Sequence, residues 1–227
     1  MLSFLRKLWP FKKKRFSVEQ YERHYELKKT ALEKILGPMY ELVGHAIIPF
    51  CVGGAVDMYY FTDCMPGTVF VTMELIEPDG SGPKPNRIGT YELVTCTKLT
   101  MPPPENNEVR LKRLEEGRLT DFDKIESRMK GIMTGIGNYG FYAVLNPGET
   151  AEIPLEDGEV NYLLFDEFNP KGIPFEIEGK KHCLLLCIEI FRSEVEYARQ
   201  HGSKLLLDKL KNAGFYPYSD LDRKPVV

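Results

Sequence analysis

The stretch from Cys183 to Phe191, Cys-Leu-Leu-Leu-Cys-Ile-Glu-Ile-Phe, is almost without interruption apolar. It lacks the alternation of a half-buried strand and falls far short of the 18 or more apolar residues that a membrane span needs, so it reads as a strand covered on both faces. A helix should follow at once. Ser193 with Glu196 has the spacing of a capping box, and Val195, Ala198, Leu205, Leu206 and Leu210 form a stripe for burial. Gly202 should split this helix in two, and Gly214 followed by Pro217 should end it.

The rest of the chain alternates the same two kinds of pattern. Ser17 with Gln20 opens a helix whose apolar positions are Tyr21, Tyr25, Ala31, Leu32, Ile35 and Leu36, and Gly37-Pro38 stops it. Strands are expected at residues 46–52, 55–62, 68–76 and 89–99, from β-branched and aromatic runs punctuated by glycine and proline. Residues 101–107 contain three successive prolines and serve as a connection. Helices are expected at residues 105–116 and again from Thr120, where Phe122, Ile125, Met129, Ile132 and Met133 keep helical spacing; Phe141 to Leu145 looks strand-like. Turns at Asn146-Pro147-Gly148 and Glu156-Asp157-Gly158 bracket a strand at 150–155, and another runs over 160–165. The expected architecture is a single α+β domain over residues 17–227, with a mixed, mainly antiparallel sheet flanked by helices, preceded by a basic amphipathic tail at residues 1–16.

Charge is distributed unevenly. Residues 1–15 hold six cations and no acid, leaving 24 basic against 33 acidic side chains in the body. An acidic body repels a phosphate backbone, so nucleic acid is not the expected partner. In the tail, Leu2, Leu5, Leu8 and Trp9 share a helical face among the cations, a pattern suited to weak contact with a membrane surface, although Pro10 interrupts it and a frayed terminus is the plain alternative. Five cysteines, an odd number set among apolar runs, read as free thiols in a reducing, cytoplasmic setting.

Catalytic and cofactor signals fail on context. Gly135-Ile-Gly-Asn-Tyr-Gly140 matches a dinucleotide fingerprint letter for letter, yet it closes a helix where the fingerprint must open one. Cys183, Cys187 and His182 lack the turn spacing of a zinc site, and the four histidines form no metal-like pattern. Glu74, Glu92 and Glu189 each interrupt an apolar run; brought together they would suit acid–base chemistry, and ion-paired or solvent-facing positions are the plainer reading. No cofactor, no metal and no enzymatic activity are therefore expected, an enzyme built on the strand carboxylates being the alternative.

The closing unit carries a resemblance. Cys183 to Phe191, Ser193-Glu-Val-Glu-Tyr-Ala-Arg-Gln-His-Gly202, Leu205-Leu-Leu-Asp-Lys-Leu210, Ala213-Gly214, Ser219-Asp-Leu-Asp-Arg223 and Pro225-Val226 resemble the end of the suppressor-of-fused-like (SUFU) domain. Residues 56–61 and 89–95 look like its early strands, and residues 132–142 and 148–154 are similar to its middle, so the resemblance spans Ser17 to Val227. One departure is Val71-Thr-Met-Glu-Leu75, where many members have a Thr-x-Gly-Met-Ser-like turn; this implies a divergent, bacterial branch. The resemblance implies a domain that works by binding protein, animal members holding a transcription factor and some bacterial relatives being proposed as immunity proteins that neutralise toxins. An acidic body suits a basic partner of that kind. Tyr216, Tyr218, Asp220, Asp222 and Arg223 are the candidate partner-binding residues, with a tail pinned to the body as the alternative.

Overall fold

The computed structural model describes residues 16–103, 105–154 and 159–227. The basic tail at residues 1–15 and the turn at 156–158 lie outside the described residues.

The chain runs α1 (Val18–Leu36), β1 (Met39–Gly44), β2 (Met58–Phe61), β3 (Thr68–Val71), β4 (Tyr91–Thr97), α2 (Asn107–Glu115), α3 (Asp121–Gly140), β5 (Thr150–Pro154), β6 (Val160–Glu167), β7 (Phe175–Ile177), β8 (Lys180–Ile190), α4 (Arg192–His201) and α5 (Ser203–Asn212). The strands form a sheet in the order β1-β2-β3-β4-β8-β6-β5, with β7 paired to β8 off this path. Every ladder between these strands is antiparallel except β4–β8, where Tyr91 to Val94 run parallel to Cys183 to Leu186. The architecture is α+β, a mixed and mainly antiparallel sheet flanked by helices.

Both faces of the sheet are covered, which explains the apolar run in β8. Leu184, Leu186, Ile188 and Ile190 face one cluster with Leu32, Ile35 and Leu36 of α1 and with Val195, Leu206 and Leu210 of α4 and α5. Cys183, Leu185 and Cys187 face the other, with Phe122, Met129, Ile132, Met133 and Ile136 of α3. Alternation is present in direction; it is invisible in residue type because each side meets a helix.

Helix starts follow local chemistry. Ser17 Oγ accepts from Gln20 N at 3.3 Å and Gln20 Oε1 accepts from Ser17 N at 2.8 Å. Thr120 and Asp123 do the same for α3, at 3.1 and 2.7 Å. Gly202, at φ 91°, separates α4 from α5.

Several expectations are corrected. First, Met39–Gly44 is a strand, β1, while residues 46–52 are a braced loop with a short 3-10 turn at Phe50–Val52. Pro49 has no N–H for a ladder, and a Cβ at Gly54 would lie 1.7 Å from the Ile48 carbonyl oxygen, so the chain doubles back there. Second, residues 68–76 pair only as far as Val71. Third, Phe141 to Leu145 forms no strand: the amides of Tyr142 and Ala143 donate to the Tyr139 carbonyl at 2.9 and 3.0 Å as α3 unwinds. Fourth, α4 starts at Arg192 and is capped by Glu194, whose Oε2 accepts from Phe191 N at 2.9 Å, not by Ser193. Leu207 takes the buried place assigned to Leu205, which is exposed.

Candidate binding site

The sheet ends at β5, whose outer side pairs with no strand among the described residues. Phe165 N donates to Glu149 O at 2.9 Å, and antiparallel alternation from that bond sends Ala151 and Ile153 toward β6 and turns the backbone of Thr150 and Glu152 to the open edge. Beside this edge lies a hollow of about 500 Å³ between β5 and the end of α3, lined by residues that include Gly135, Tyr139, Val144, Ala151 and Ile153. Tyr139 and Val144 are exposed. An unpaired strand edge beside an apolar recess is the arrangement that takes an extended segment as an added strand: the edge supplies backbone hydrogen bonds and the recess takes alternate side chains. Glu149 and Glu152 border it, with Glu152 paired to Arg199 of α4 at 2.6 Å.

The glycines once readable as a cofactor fingerprint divide their roles here. A Cβ on Gly135 would meet nothing within 4 Å, and this glycine opens onto the hollow. A Cβ on Gly137 would lie 3.3 Å from the Leu75 and Phe50 side chains, and Gly140 has no room for a Cβ beside the Tyr91 hydroxyl.

The nominated tail residues lie together at the far end of the sheet, and most of their polar groups are used inside the fold. Tyr216 OH donates to Asp166 at 3.0 Å, Tyr218 OH donates to the Pro66 carbonyl at 2.9 Å, and Asp220 accepts from Thr97 Oγ1 at 2.6 Å and Lys98 N at 2.9 Å. Arg223 makes two bonds to Glu194, at 2.6 and 2.9 Å, and stacks between the rings of Phe191 and Phe215. Asp222 is exposed. Ser219, not among the nominated residues, has the central place. Its Oγ donates to Cys187 O and accepts from Glu189 N, both at 3.1 Å, and its amide donates to Cys96 O at 2.8 Å. It thereby wedges the fork where β4 and β8 diverge beyond Val94 and Leu186. A hollow of about 360 Å³ beside the tail is lined by Met65, Glu167, Asn169, Tyr216 and Pro217 among others, and Asn169 Oδ1 is buried there without a partner.

The chain is similar to one in the crystal structure of the Sufu–Fu complex, at TM-score 0.57 and 15% identity, over 89% of this chain and 92% of that one. This chain has the suppressor-of-fused fold. A second similar structure, a SUFU homologue from Neisseria gonorrhoeae, gives a TM-score of 0.48 at 14% identity over 91% of this chain and 98% of that one. No protein-family model matches the sequence, and comparison with curated proteins gives no match.

Around Thr72 to Ile76, just past the end of β3, the fold places a buried ionic clamp. Glu92, fully buried on β4, accepts from Thr72 Oγ1 at 2.7 Å, Leu75 N at 3.2 Å and Ile76 N at 3.0 Å. Lys28 of α1, also buried, reaches Glu92 at 2.6 Å and the carbonyls of Met73 and Ile76 at 2.8 Å. His24 bonds the same Ile76 carbonyl at 2.9 Å, and burial lowers its pKa. Sequence reasoning missed Lys28 and His24, though both continue the α1 face by steps of four from Leu32 and Leu36.

The three strand carboxylates do not converge. Glu92 faces α1, whereas Glu189 faces α3 and accepts from Arg128 Nε at 2.8 Å. Glu74 accepts from Asp57 N at 2.9 Å, and burial pushes its carboxyl up to about 7. Cys183 and Cys187 share the α3 side of β8; His182 faces the other side and bonds Thr90 at 2.6 Å. Among the described residues, no group of three His, Cys, Asp or Glu side chains is placed to hold a metal, and no helix is long and apolar enough to cross a membrane.

Glu74 gives a signed prediction. Its raised pKa favours folding below the usual carboxylate range, and that contribution is lost as pH rises through about 7. Glu74→Gln keeps an acceptor for Asp57 N and cannot ionise. Relative to wild type, it should gain stability in urea titrations between about pH 5 and about pH 8; a constant difference would refute the assignment.

Proposed function

We propose that this chain is a protein-binding module that takes an extended segment of its partner as an extra strand on β5. The open β5 edge beside its hollow carries the reading. Support also comes from the similar chain having been crystallised in a complex, Sufu with Fu. The body's 24 basic and 33 acidic side chains favour a basic partner by steering its approach. A toxin neutralised by masking fits that chemistry, which makes the chain an immunity protein acting in the cytoplasm, where its free thiols stay reduced. The tail is a second contact: Tyr216 and Pro217 wall the hollow at Asn169, whose buried oxygen accepts a partner's N–H, and Tyr218, Asp220, Asp222 and Arg223 follow along the same tail.

The test is Glu152→Pro, which removes an N–H from the open edge and leaves the β6 ladder intact. Against lysine-rich peptides with alternating aliphatic residues, Glu152→Pro should weaken binding by about tenfold, while Glu152→Gln, which loses the Arg199 pair alone, should bind like wild type. Equal binding by the proline variant and wild type would reject strand addition, and a preference for acidic peptides would reject the toxin reading.

A further inference from the structure

The hollow of about 360 Å³ beside the tail holds two acceptors that the fold leaves unused. Asn169 opens a turn: its carbonyl accepts from Gly172 N at 3.3 Å, and Pro170 follows it. An asparagine in that place ordinarily bonds its side-chain oxygen to the backbone two residues on. Here Oδ1 makes no such bond; the atom is buried at the wall of the hollow and has no partner. A buried acceptor without a donor loses its hydration and gains nothing, so the turn alone does not account for it. The second acceptor is Glu167, the last residue of β6, whose exposed carboxylate makes no ion pair or hydrogen bond among the described residues.

The rest of the lining includes Phe168, Tyr216, Pro217 and Met65, which are apolar or offer a flat ring. Burial first, and then the negative charge of Asp166 and Glu167, raise the pKa of the Tyr216 hydroxyl, which donates to Asp166 at 3.0 Å. The hollow therefore lies in a negative field. Two lysines come near and are held elsewhere: Lys211 stands 4.5 Å from the Tyr216 ring centre, and Lys171 gives its ammonium to the Lys34 carbonyl at 3.4 Å. A group that suits this lining carries positive charge, more than one N–H donor and a planar face. A guanidinium has all three, since its rigid fork of donors matches a carboxylate and its plane stacks on a ring, whereas an ammonium is a hydrated point charge without a plane.

We propose that the hollow at Glu167, Asn169 and Tyr216 receives an arginine side chain of the protein partner, its guanidinium bonded to the Glu167 carboxylate and the Asn169 oxygen and its aliphatic stem covered by Met65 and Pro217. This deepens the second contact assigned to the tail and rests on that reading, and it narrows the contact to one kind of residue.

A peptide too short to add a strand isolates the hollow. Acetyl-Gly-Arg-Gly-amide titrated into the full chain should move the NMR signals of the Asn169 side-chain amide and of the Glu167 and Tyr216 backbone amides. The same peptide with citrulline, neutral and of the same shape, should bind about tenfold more weakly, and so should the arginine peptide to Glu167→Gln. That variant should melt as wild type does, because the carboxylate it replaces is exposed and unpaired. Asn169→Ala should weaken arginine binding by about threefold and melt no lower than wild type, since it removes an acceptor that the fold does not use. The proposal is overturned if the arginine peptide leaves those signals in place, if citrulline serves as well as arginine, if acetyl-Gly-Lys-Gly-amide binds more tightly than the arginine peptide, or if Glu167→Gln binds as wild type does. Strand addition is judged apart: Glu152→Pro should bind the arginine peptide as wild type does, so weakened binding of the longer peptides by Glu152→Pro, with no arginine binding at the hollow, rejects the arginine pocket alone.

Discussion

Lys28→Met is expected to lower the free energy of unfolding by about 3–5 kcal/mol, because it strands the buried Glu92 carboxylate without its counter-charge. Surface pairs give no guide to this size. Arg23–Glu178 and Arg192–Glu196, both exposed, should each be worth under about 1 kcal/mol. Lys28 and Glu92 are 1% and 0% exposed, and each is bonded to the backbone of residues 73–76 as well as to the other. The double variant Lys28→Met with Glu92→Gln should recover part of the loss, since Gln still accepts from Thr72 or Ile76 and no charge remains. Urea titrations of wild type, Lys28→Met, Glu92→Gln and the double variant decide it: additive losses would mean that the two residues act independently. The local readout is amide exchange at Leu75 and Ile76, which should quicken in the single variant before the rest of the sheet.

The second large effect is expected at the tail. Arg223→Met should cost about 3–5 kcal/mol by the same mechanism, since Glu194 is fully buried and its two strongest partners are the Arg223 guanidinium nitrogens. Val226 N and Phe191 N still reach Glu194, at 3.0 and 2.9 Å, so the carboxylate is not left bare and the loss should fall toward the lower figure. Arg223 also spreads its plane over Phe191 and Phe215, which Met covers in part. Asp222→Ala, at an exposed position, should change stability by less than about 0.5 kcal/mol. Comparable losses for the two variants would refute the latch. A partner-binding defect in Asp222→Ala at unchanged stability would mark the tail as a recognition surface.

These two clusters also mark where sequence reading stops. The β8 run, the split of α4 from α5 at Gly202, and the capping boxes of α1 and α3 are legible because each is set by neighbours in sequence. The buried Lys28 is not, since lysine is ordinarily a solvent residue and its partner lies 64 positions away on another element. Helical spacing alone hinted at it. The loop at residues 46–54 reads as a strand because its aliphatics look like strand residues; what decides is Pro49 without an N–H and the tight approach at Gly54, features that count only once the ladder is laid out. Ser193 lost the cap to Glu194 because Arg223, 29 positions on, fixes that carboxylate in place. The open edge of β5 follows from strand order, which no local pattern states.

The wedge at Ser219 has a consequence for synthesis on the ribosome. β1 to β4 emerge first as a meander, and the edge of β4 stays unpaired until β8 appears about 80 residues later, roughly 4–16 s at about 5–20 residues per second. Even then the fork beyond Val94 and Leu186 stays open until Ser219 arrives to fill it. Through that interval the nascent chain presents a hydrophobic strand edge to its neighbours on the polysome. Translation speed between residues 97 and 219 should therefore govern the yield of folded chain, more than the stability of the finished domain does.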